Sequence, residues 1–512
     1  MANMVFPSFQ LNESDHDLRD HETIWRTKQD HCGDMDEAAF MDLFSSQENA
    51  SCDAMQGMNM VGVEPPRSES SKDVREKQRL RRPRGEDDTK MKNRLSMEEI
   101  LMVAGEKFIQ FSTNRIDGIS MLIHPYGSSI TGLCLDDERD VEIMHSLLSA
   151  AENVGLKQLE TAARLVARCQ QMASESGTPV QRLASYFYAA LQQKISRELY
   201  GVAVSRRKAD VDDHKGLALG TNNAFLASHQ QLPFSQVTEF VGMQAVIEQV
   251  RGCGKVHLID LQIRSGIQWT ALMQGLTDSP LQRLRITAVG TADQTYMEET
   301  GSRLQSFAES LNLPLLFEVV YLQGMDAFNE DLFNIEPDET VAVYSMLMLR
   351  SMISKPKSLE TVMKGIARMR PAVMVVSEVE ANHNSPSFID RFTEALLFYS
   401  AYFDCLEECM ERRSEYRAVL EGRFFGEGIT NIVGAEEEER VTRNVKLGVW
   451  RKYFTRFGMT EMALSDSSKY QASLVLEQFG KGRCCDLVFD GKGLIVGWKG
   501  TPIQSVTAWK FS

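Results

Sequence analysis

The sequence predicts an α/β protein with a mainly parallel sheet and helices on both faces. A helical region and a disordered N-terminal segment precede the sheet. Three observations lead there. From about Val256, short runs rich in Val, Ile or Leu alternate with helical patterns, which is how parallel strands covered on both faces read. Upstream, in residues 95–250, apolar residues recur at helical spacing. The first 94 residues are charged and lack a period, so they bury too little apolar surface to offset their ordering entropy. The expected organisation is 1–94 as head and neck, 95–250 as a helical region, and 251–512 as the α/β core.

The head is acidic, with 14 Asp/Glu against 4 Lys/Arg in residues 1–70. Within it, Asp34–Phe44 places Phe40, Leu43 and Phe44 on one helical face among acids, a pattern of segments that fold on a partner, activation domains included. The neck, residues 71–94, holds 10 Lys/Arg against 5 Asp/Glu. Its run KQRLRRPR offers Lys77, Arg79, Arg81, Arg82 and Arg84 to an acidic groove on a nuclear-import receptor. A solvated linker run is the plainer alternative. The N-terminus lacks the basic and apolar regions of a secretory signal, and no apolar run reaches the ~18 residues of a membrane span. The expected compartment is cytosol or nucleus. The nine cysteines include no C-x-x-C pair, and neither Cys405/Cys409 nor Cys484/Cys485 has partners at zinc-site spacing. A net charge of −15 excludes a uniformly basic nucleic-acid binder.

Folding is expected to start near Leu95. Ser96-Met97-Glu98-Glu99 is a capping box, followed by an apolar stripe through Ile100, Val103, Ala104 and Phe108. Val141–Gly155 and Leu156–Ala173 are helical by spacing, and Thr178-Pro179 opens a further helix with a strong start signal. Small alanines along these segments suit a packed bundle better than a zipper. The strands expected next are KVHLIDLQI, LRITAVGT, LPLLFEVVYL, TVAVYSML and AVMVVSEVE. The C-terminal residues carry turn signals at Asp490-Gly491 and Gly500-Thr501-Pro502, which predict an antiparallel hairpin added to the sheet.

In an open parallel sheet a ligand binds beyond the carboxyl ends of the strands. Asp260 ends the first strand there, and the loop reads Asp260-Leu261-Gln262-Ile263-Arg264-Ser265-Gly266. A phosphate or adenosyl loop needs several glycines for close backbone approach; this one has Gly266 alone. Neither G-x-G-x-x-G nor a P-loop occurs. The reading favoured is a structural turn in which Asp260 caps or bridges and Trp269 packs beneath, with no cofactor. Glu378, Glu380 and His383, and the acids of Gly324–Phe333, are the remaining catalytic candidates for that crevice. No nucleophile elbow or metal-ligand spacing accompanies them. Arg264, Arg283 and Arg285 near strand ends are the candidates for a local basic patch, with ordinary surface charges the favoured alternative.

Several stretches, in order, resemble the plant GRAS-domain family. Val256, His257, Leu258, Ile259 and Asp260 match its VHIID motif with Leu in third place. Residues 141–195 and 281–347 resemble its two leucine-rich regions. Pro371 and Phe398-Tyr399 match its PFYRE region, where Glu427-Gly428 stands in place of Arg-Glu. Thr507, Ala508 and Trp509 match its SAW region with Thr for Ser, alongside Trp450 and Trp498. The resemblance implies a methyltransferase-like, Rossmann-type core with a helical cap. It also implies a non-enzymatic nuclear role as a transcriptional regulator working by protein–protein contacts, with other GRAS proteins as homo- or heterodimers and with DNA-binding transcription factors. Promoter contact would be indirect. No DELLA string occurs in residues 1–94, which leaves developmental and root-symbiotic branches open. The alternatives are an S-adenosylmethionine-dependent methyltransferase and a direct DNA binder. The helices of 141–195 are the expected dimer surface.

Overall fold

A computed structural model describes residues 94–112, 133–201, 214–291, 296–411 and 414–511. The acidic head and the import candidates Lys77, Arg79, Arg81, Arg82 and Arg84 lie outside the described residues. The chain forms two compact units that divide between Tyr188 and Ala189.

The first unit is helical: α1 (Met97–Ser112), α2 (Leu135–Gly155), α3 (Leu159–Met172) and the first part of α4 (Pro179–Tyr200). The expected capping box closes α1. Glu99 N–H donates to Ser96 Oγ at 3.2 Å, and Ser96 N–H donates to the Glu99 carboxylate at 2.7 Å. Thr178 caps α4 by accepting from Gln181 N–H at 3.2 Å, and its hydroxyl donates to Asp140 at 3.1 Å. Helix α2 starts at Leu135, ahead of the expected Val141. Cys134 Sγ accepts from Asp137 N–H, and Asp136, Asp137 and Glu138 fill the first turn, where the helix dipole favours acids. The apolar stripe of α2 (Val141, Met144, Leu147, Leu148, Ala151) is buried, and its exposed leucine is the terminal Leu135, with Leu156 just beyond the helix. The apolar stripe of α2, part of the expected dimer surface, is thus covered within the chain.

The second unit is built on a nine-stranded sheet ordered β3-β2-β1-β4-β5-β9-β8-β7, with β6 also paired to β9. Its strands are β1 (Lys255–Asp260), β2 (Arg283–Thr291), β3 (Leu315–Leu322), β4 (Thr340–Met346), β5 (Val373–Val379), β6 (Met459–Met462), β7 (Cys485–Asp490), β8 (Gly493–Trp498) and β9 (Thr501–Phe511). Strands β1 to β5 are parallel, and β9 runs antiparallel to β5. The 3-2-1-4-5 order is Rossmann-type, with its topological switch between β1 and β4. The expected C-terminal hairpin is in fact β7–β8–β9, extended by β6.

Helices cover both faces. The remaining ones are α5 (His214–Gln231), α6 (Pro233–Val250), α7 (Ile267–Leu276), α8 (Tyr296–Ser310), α9 (Pro356–Met369), α10 (Phe388–Cys409), α11 (Glu415–Val419), α12 (Leu447–Thr455) and α13 (Asp466–Gln478). A short helical turn, Glu427–Ile429, sits between two π-helical stretches, Leu420–Gly426 and Thr430–Gly434, after α11. On one face α6 approaches so closely that a Cβ at Gly242 would sit 2.8 Å from Val375. On the other, Ile259, Val343, Met374 and Val376 pack with Leu359, Val362 and Ile366 of α9, Trp450 and Phe454 of α12, and Trp509. This is the core of that face, and each fully buried aliphatic side chain in it contributes about 1.5–3 kcal/mol of transfer free energy.

Candidate functional site

The two ends of β1 carry separate polar clusters. Alternation along β1 sends Leu258 and Asp260 to the α6/α7 face and His257 and Ile259 to the other. At the carboxyl end Asp260 is buried at 1% exposure. Its Oδ1 accepts from Gln262 N–H at 3.0 Å. Its Oδ2 accepts from Trp269 Nε1–H at 3.0 Å and from Gln268 Nε2–H at 3.4 Å. Burial pushes the carboxyl up to about 7 against those hydrogen bonds. Trp269 in turn packs edge-on to Tyr344, with ring centroids 5.0 Å apart. The bridging Asp260 and underlying Trp269 expected from the sequence are both in place.

Gly266 adopts a left-handed conformation, φ 69°, just before α7. A Cβ there would lie 2.8 Å from Thr300 Cγ2 and 3.1 Å from Leu304 Cδ1 of α8. The loop's one glycine thus brings backbone against α8, not against an open ligand space. Thr300 Oγ1–H donates to the Arg264 carbonyl and Tyr296 O–H to the Ile263 carbonyl, each at 3.1 Å, so α8 holds the loop from below. Beside it a cleft of about 240 Å³ lies between α5, α6 and α7, lined by His229, Glu239, Phe240, Met243, Gln268 and Gln274 among others. The buried His229–Glu239 pair in its wall is 2.6 Å apart. Sequence reasoning missed this cleft, because α5 and α6 were not separated from the helical region; Pro233 at the start of α6 was the available signal.

At the amino end His257 is fully buried. Arg285 Nη2–H donates to its Nδ1 at 2.9 Å, which leaves Nε2–H to donate to Thr287 Oγ1 at 2.8 Å. Burial and the Arg285 guanidinium lower its pKa to about 4. Arg285 also pairs with Glu339, and Arg283 reaches Glu339 at 2.8 Å and Glu336 at 2.6 Å. Lys255 bonds Glu336 at 3.0 Å and Asp338 at 2.8 Å. The suggested basic patch is therefore corrected. Arg283 and Arg285 open β2 at the far end of the sheet from Arg264, and each is matched by acids. Arg264 stands over the Phe225 ring at 5.0 Å.

Among the other catalytic candidates, Glu378 shares with Asp260 the nearby Arg264 guanidinium, whose charge opposes the upward pull of burial on both carboxyls. Glu378 and Glu380 continue the Met374/Val376 face, opposite that of Asp260. Glu378 Oε1 accepts from Arg350 N–H at 3.3 Å. Both oxygens of Glu380 accept from Leu447 N–H, at 3.1 and 3.0 Å, which caps α12. Burial pushes each carboxyl up to about 7. His383 Nδ1 accepts from Asn444 Nδ2–H at 2.8 Å, and burial lowers its pKa to about 4. Glu330 of the acidic stretch makes a surface pair with Arg368. No hydrogen bond joins these groups into an acid–base dyad among the described residues, although Glu378 and His383 both feel the Arg350 guanidinium.

The matched motif residues separate likewise. Phe398 and Tyr399 of α10 bracket His383, with centroids at 5.0 Å and 6.1 Å. Pro371 stands before the amino end of β5, about 20 Å of strand away. Where Arg-Glu is replaced, a Cβ at Gly428 would lie 2.2 Å from Tyr399 Oη, so this departure makes room for that hydroxyl. Glu427 is exposed, 3.9 Å from Arg423. Thr507, Ala508 and Trp509 lie in β9 and are buried. Trp509 Nε1–H donates to Thr507 Oγ1 at 2.8 Å, an acceptor that Thr supplies as Ser would, and Trp509 packs on Phe454 at 5.0 Å. Among the described residues no cluster of His, Cys, Asp and Glu is arranged to hold a metal ion, and no helix is long and apolar enough to cross a membrane.

The fold and site define a Rossmann-type α/β protein whose carboxyl-end loop is closed by its own side chains. Residues 143–510 match the GRAS domain family. The chain is 30% identical over 382 residues to DELLA protein 2 of Medicago truncatula, covering 73% of this chain and 68% of that one. It is 29% identical over 410 residues to DELLA protein RGL3 of Arabidopsis thaliana, covering 78% and 76%. The crystal structure of SCL7 in Oryza sativa is similar with a TM-score of 0.62 at 29% identity, covering 72% of this chain and 99% of that one. This chain belongs to the GRAS domain family.

Proposed function

We propose that the protein is a nuclear transcriptional regulator that works as a protein–protein scaffold, with its Rossmann-type crevice serving stability. The observation that carries this reading is the Asp260 knot: both carboxylate oxygens are engaged by Gln262, Gln268 and Trp269, and Gly266 is committed to α8. The partners in this reading are other GRAS proteins, as homo- or heterodimers, and DNA-binding transcription factors that bring it to promoters. The acid-matched Arg283 and Arg285 favour that indirect contact. Import runs through Lys77, Arg79, Arg81, Arg82 and Arg84, and the process controlled is plant development or root symbiosis, arbuscular mycorrhizal or nodulating.

The test is purification of the tagged full chain from nuclei, with mass spectrometry of what accompanies it. GRAS proteins and DNA-binding factors are expected, and their absence would overturn the scaffold role. Replacing the five basic neck residues by Ala should shift the protein to the cytosol. The competing methyltransferase reading requires saturable heat on titration with S-adenosylmethionine, and calorimetry at millimolar ligand is expected to show none.

A further inference from the structure

We propose that Cys405 and Cys409 form a peroxide-oxidisable dithiol that closes reversibly to a disulfide in the last turn of α10. Their Sγ atoms lie 3.9 Å apart. Positions i and i+4 of a helix have Cα atoms about 6.2 Å apart, inside the span a disulfide bridges. Bond formation requires the Cβ atoms, about 5–6 Å apart at this spacing, to approach to about 4 Å and the sulfurs to about 2.05 Å, so the turn itself must shift. The last turn can supply that movement, because Cys409 ends α10 and Met410 is already extended, at φ −118° and ψ 144°. No following turn of helix holds Cys409 in place.

The two thiols have unequal surroundings, which sets their order of reaction. Cys405 is buried and Cys409 is partly exposed, so a small oxidant reaches Cys409 first. The Cys405 hydrogen bond lowers the Cys409 pKa against burial and the Glu408 carboxylate, with the Lys481 ammonium, 2.5 Å from Glu408, a smaller aid. Burial raises Cys405 well above the ordinary thiol value. A partly exposed thiol whose pKa is lowered by a hydrogen bond from a buried resolving partner is an arrangement of redox-sensitive cysteines.

The oxidant is hydrogen peroxide. The Cys409 thiolate attacks one peroxide oxygen: an S–O bond forms, the O–O bond breaks, and the departing hydroxide takes a proton to become water. Cys405 then gives up its proton and attacks the sulfenic sulfur. The S–S bond forms, the S–O bond breaks, and the second hydroxide leaves as water. The dithiol loses two electrons, and the peroxide is reduced to two waters. Closure pulls on the turn that carries Asp404, whose carboxylate accepts from Trp498 Nε1–H and pairs with Lys499, both at 2.6 Å. Oxidation is thereby felt at the β8–β9 turn.

The experiment titrates the reduced full-length chain with hydrogen peroxide, alkylates free thiols with iodoacetamide and maps the peptides. The expected result is a Cys405–Cys409 disulfide, reversed by dithiothreitol, at doses where Cys134 and Cys253 are roughly ten-fold less oxidised. Cys405→Ala should stop at a Cys409 sulfenic acid that dimedone traps, and the unsubstituted chain's map decides the matter if that variant does not fold. A Cys409 oxidised no faster than Cys253, or joined to Cys484 or Cys485 instead, would overturn the proposal.

Discussion

The two ends of β1 lie a few residues apart in sequence and are held by different physics. At the amino end His257 sits neutral inside a lattice of full charges: Arg283, Arg285, Glu336 and Glu339. At the carboxyl end Asp260 sits among neutral donors, Gln262, Gln268 and Trp269. The first cluster ties β1 to β2 and to the segment entering β4 through matched charge. The second fixes one loop with one dry carboxyl. A five-residue motif thus marks two fastenings, and motif membership alone does not place its residues in a common site.

The largest break in this contrast is Glu339→Ala. It leaves the buried Arg285 without its main acid, and loss of about 3–5 kcal/mol is expected in urea unfolding. A loss under ~1 kcal/mol would show the charged lattice to be dispensable. Trp269→Phe keeps a ring but removes the donor to Asp260, with an expected loss of ~2–3 kcal/mol by the same measurement.

Asp260→Asn sharpens the comparison through pH. The folded carboxyl titrates near 7, above its unfolded value of about 3.9. The folded state therefore binds the proton more tightly, and this group's contribution to stability falls as pH rises through that window. The variant lacks the effect, so its stability relative to the parent should rise by roughly 2 kcal/mol between pH 5 and pH 8. A melting-temperature difference that stays flat across that range would remove Asp260 as the titrating group. The smallest effect is expected at the rim of the amino-end lattice, where Lys255→Ala should leave the urea midpoint close to the parent's, because solvent screens its pairs with Glu336 and Asp338.

Much of the sheet was legible because parallel strands announce themselves as apolar runs. Val256–Ile259, Val341–Val343 and Val373–Val376 are buried on both faces, and no alternation confuses them. The capping box at Ser96 and the Thr178-Pro179 start were legible because caps are local chemistry. Strand β6 was not: Met459–Met462 is four residues long and exists only because β9 offers it an edge. The matched motif letters could be read, but their separation could not. That Asp260 and Glu378 leave opposite faces of the sheet yet both feel Arg264 depends on strand register and on the path of the loop, and spacing shows neither. Nor could spacing show that Arg283 and Arg285 meet Glu336 and Glu339, more than fifty residues away.

The missing side chain at Gly428 has a consequence for how such a chain can change over generations. The Tyr399 hydroxyl occupies the volume that any larger residue at 428 would need. The two positions therefore compete for one volume: a methyl gained at 428 requires the Tyr399 ring to shift or its oxygen to be lost. Gly428→Ala should harm the protein alone and be tolerated with Tyr399→Phe.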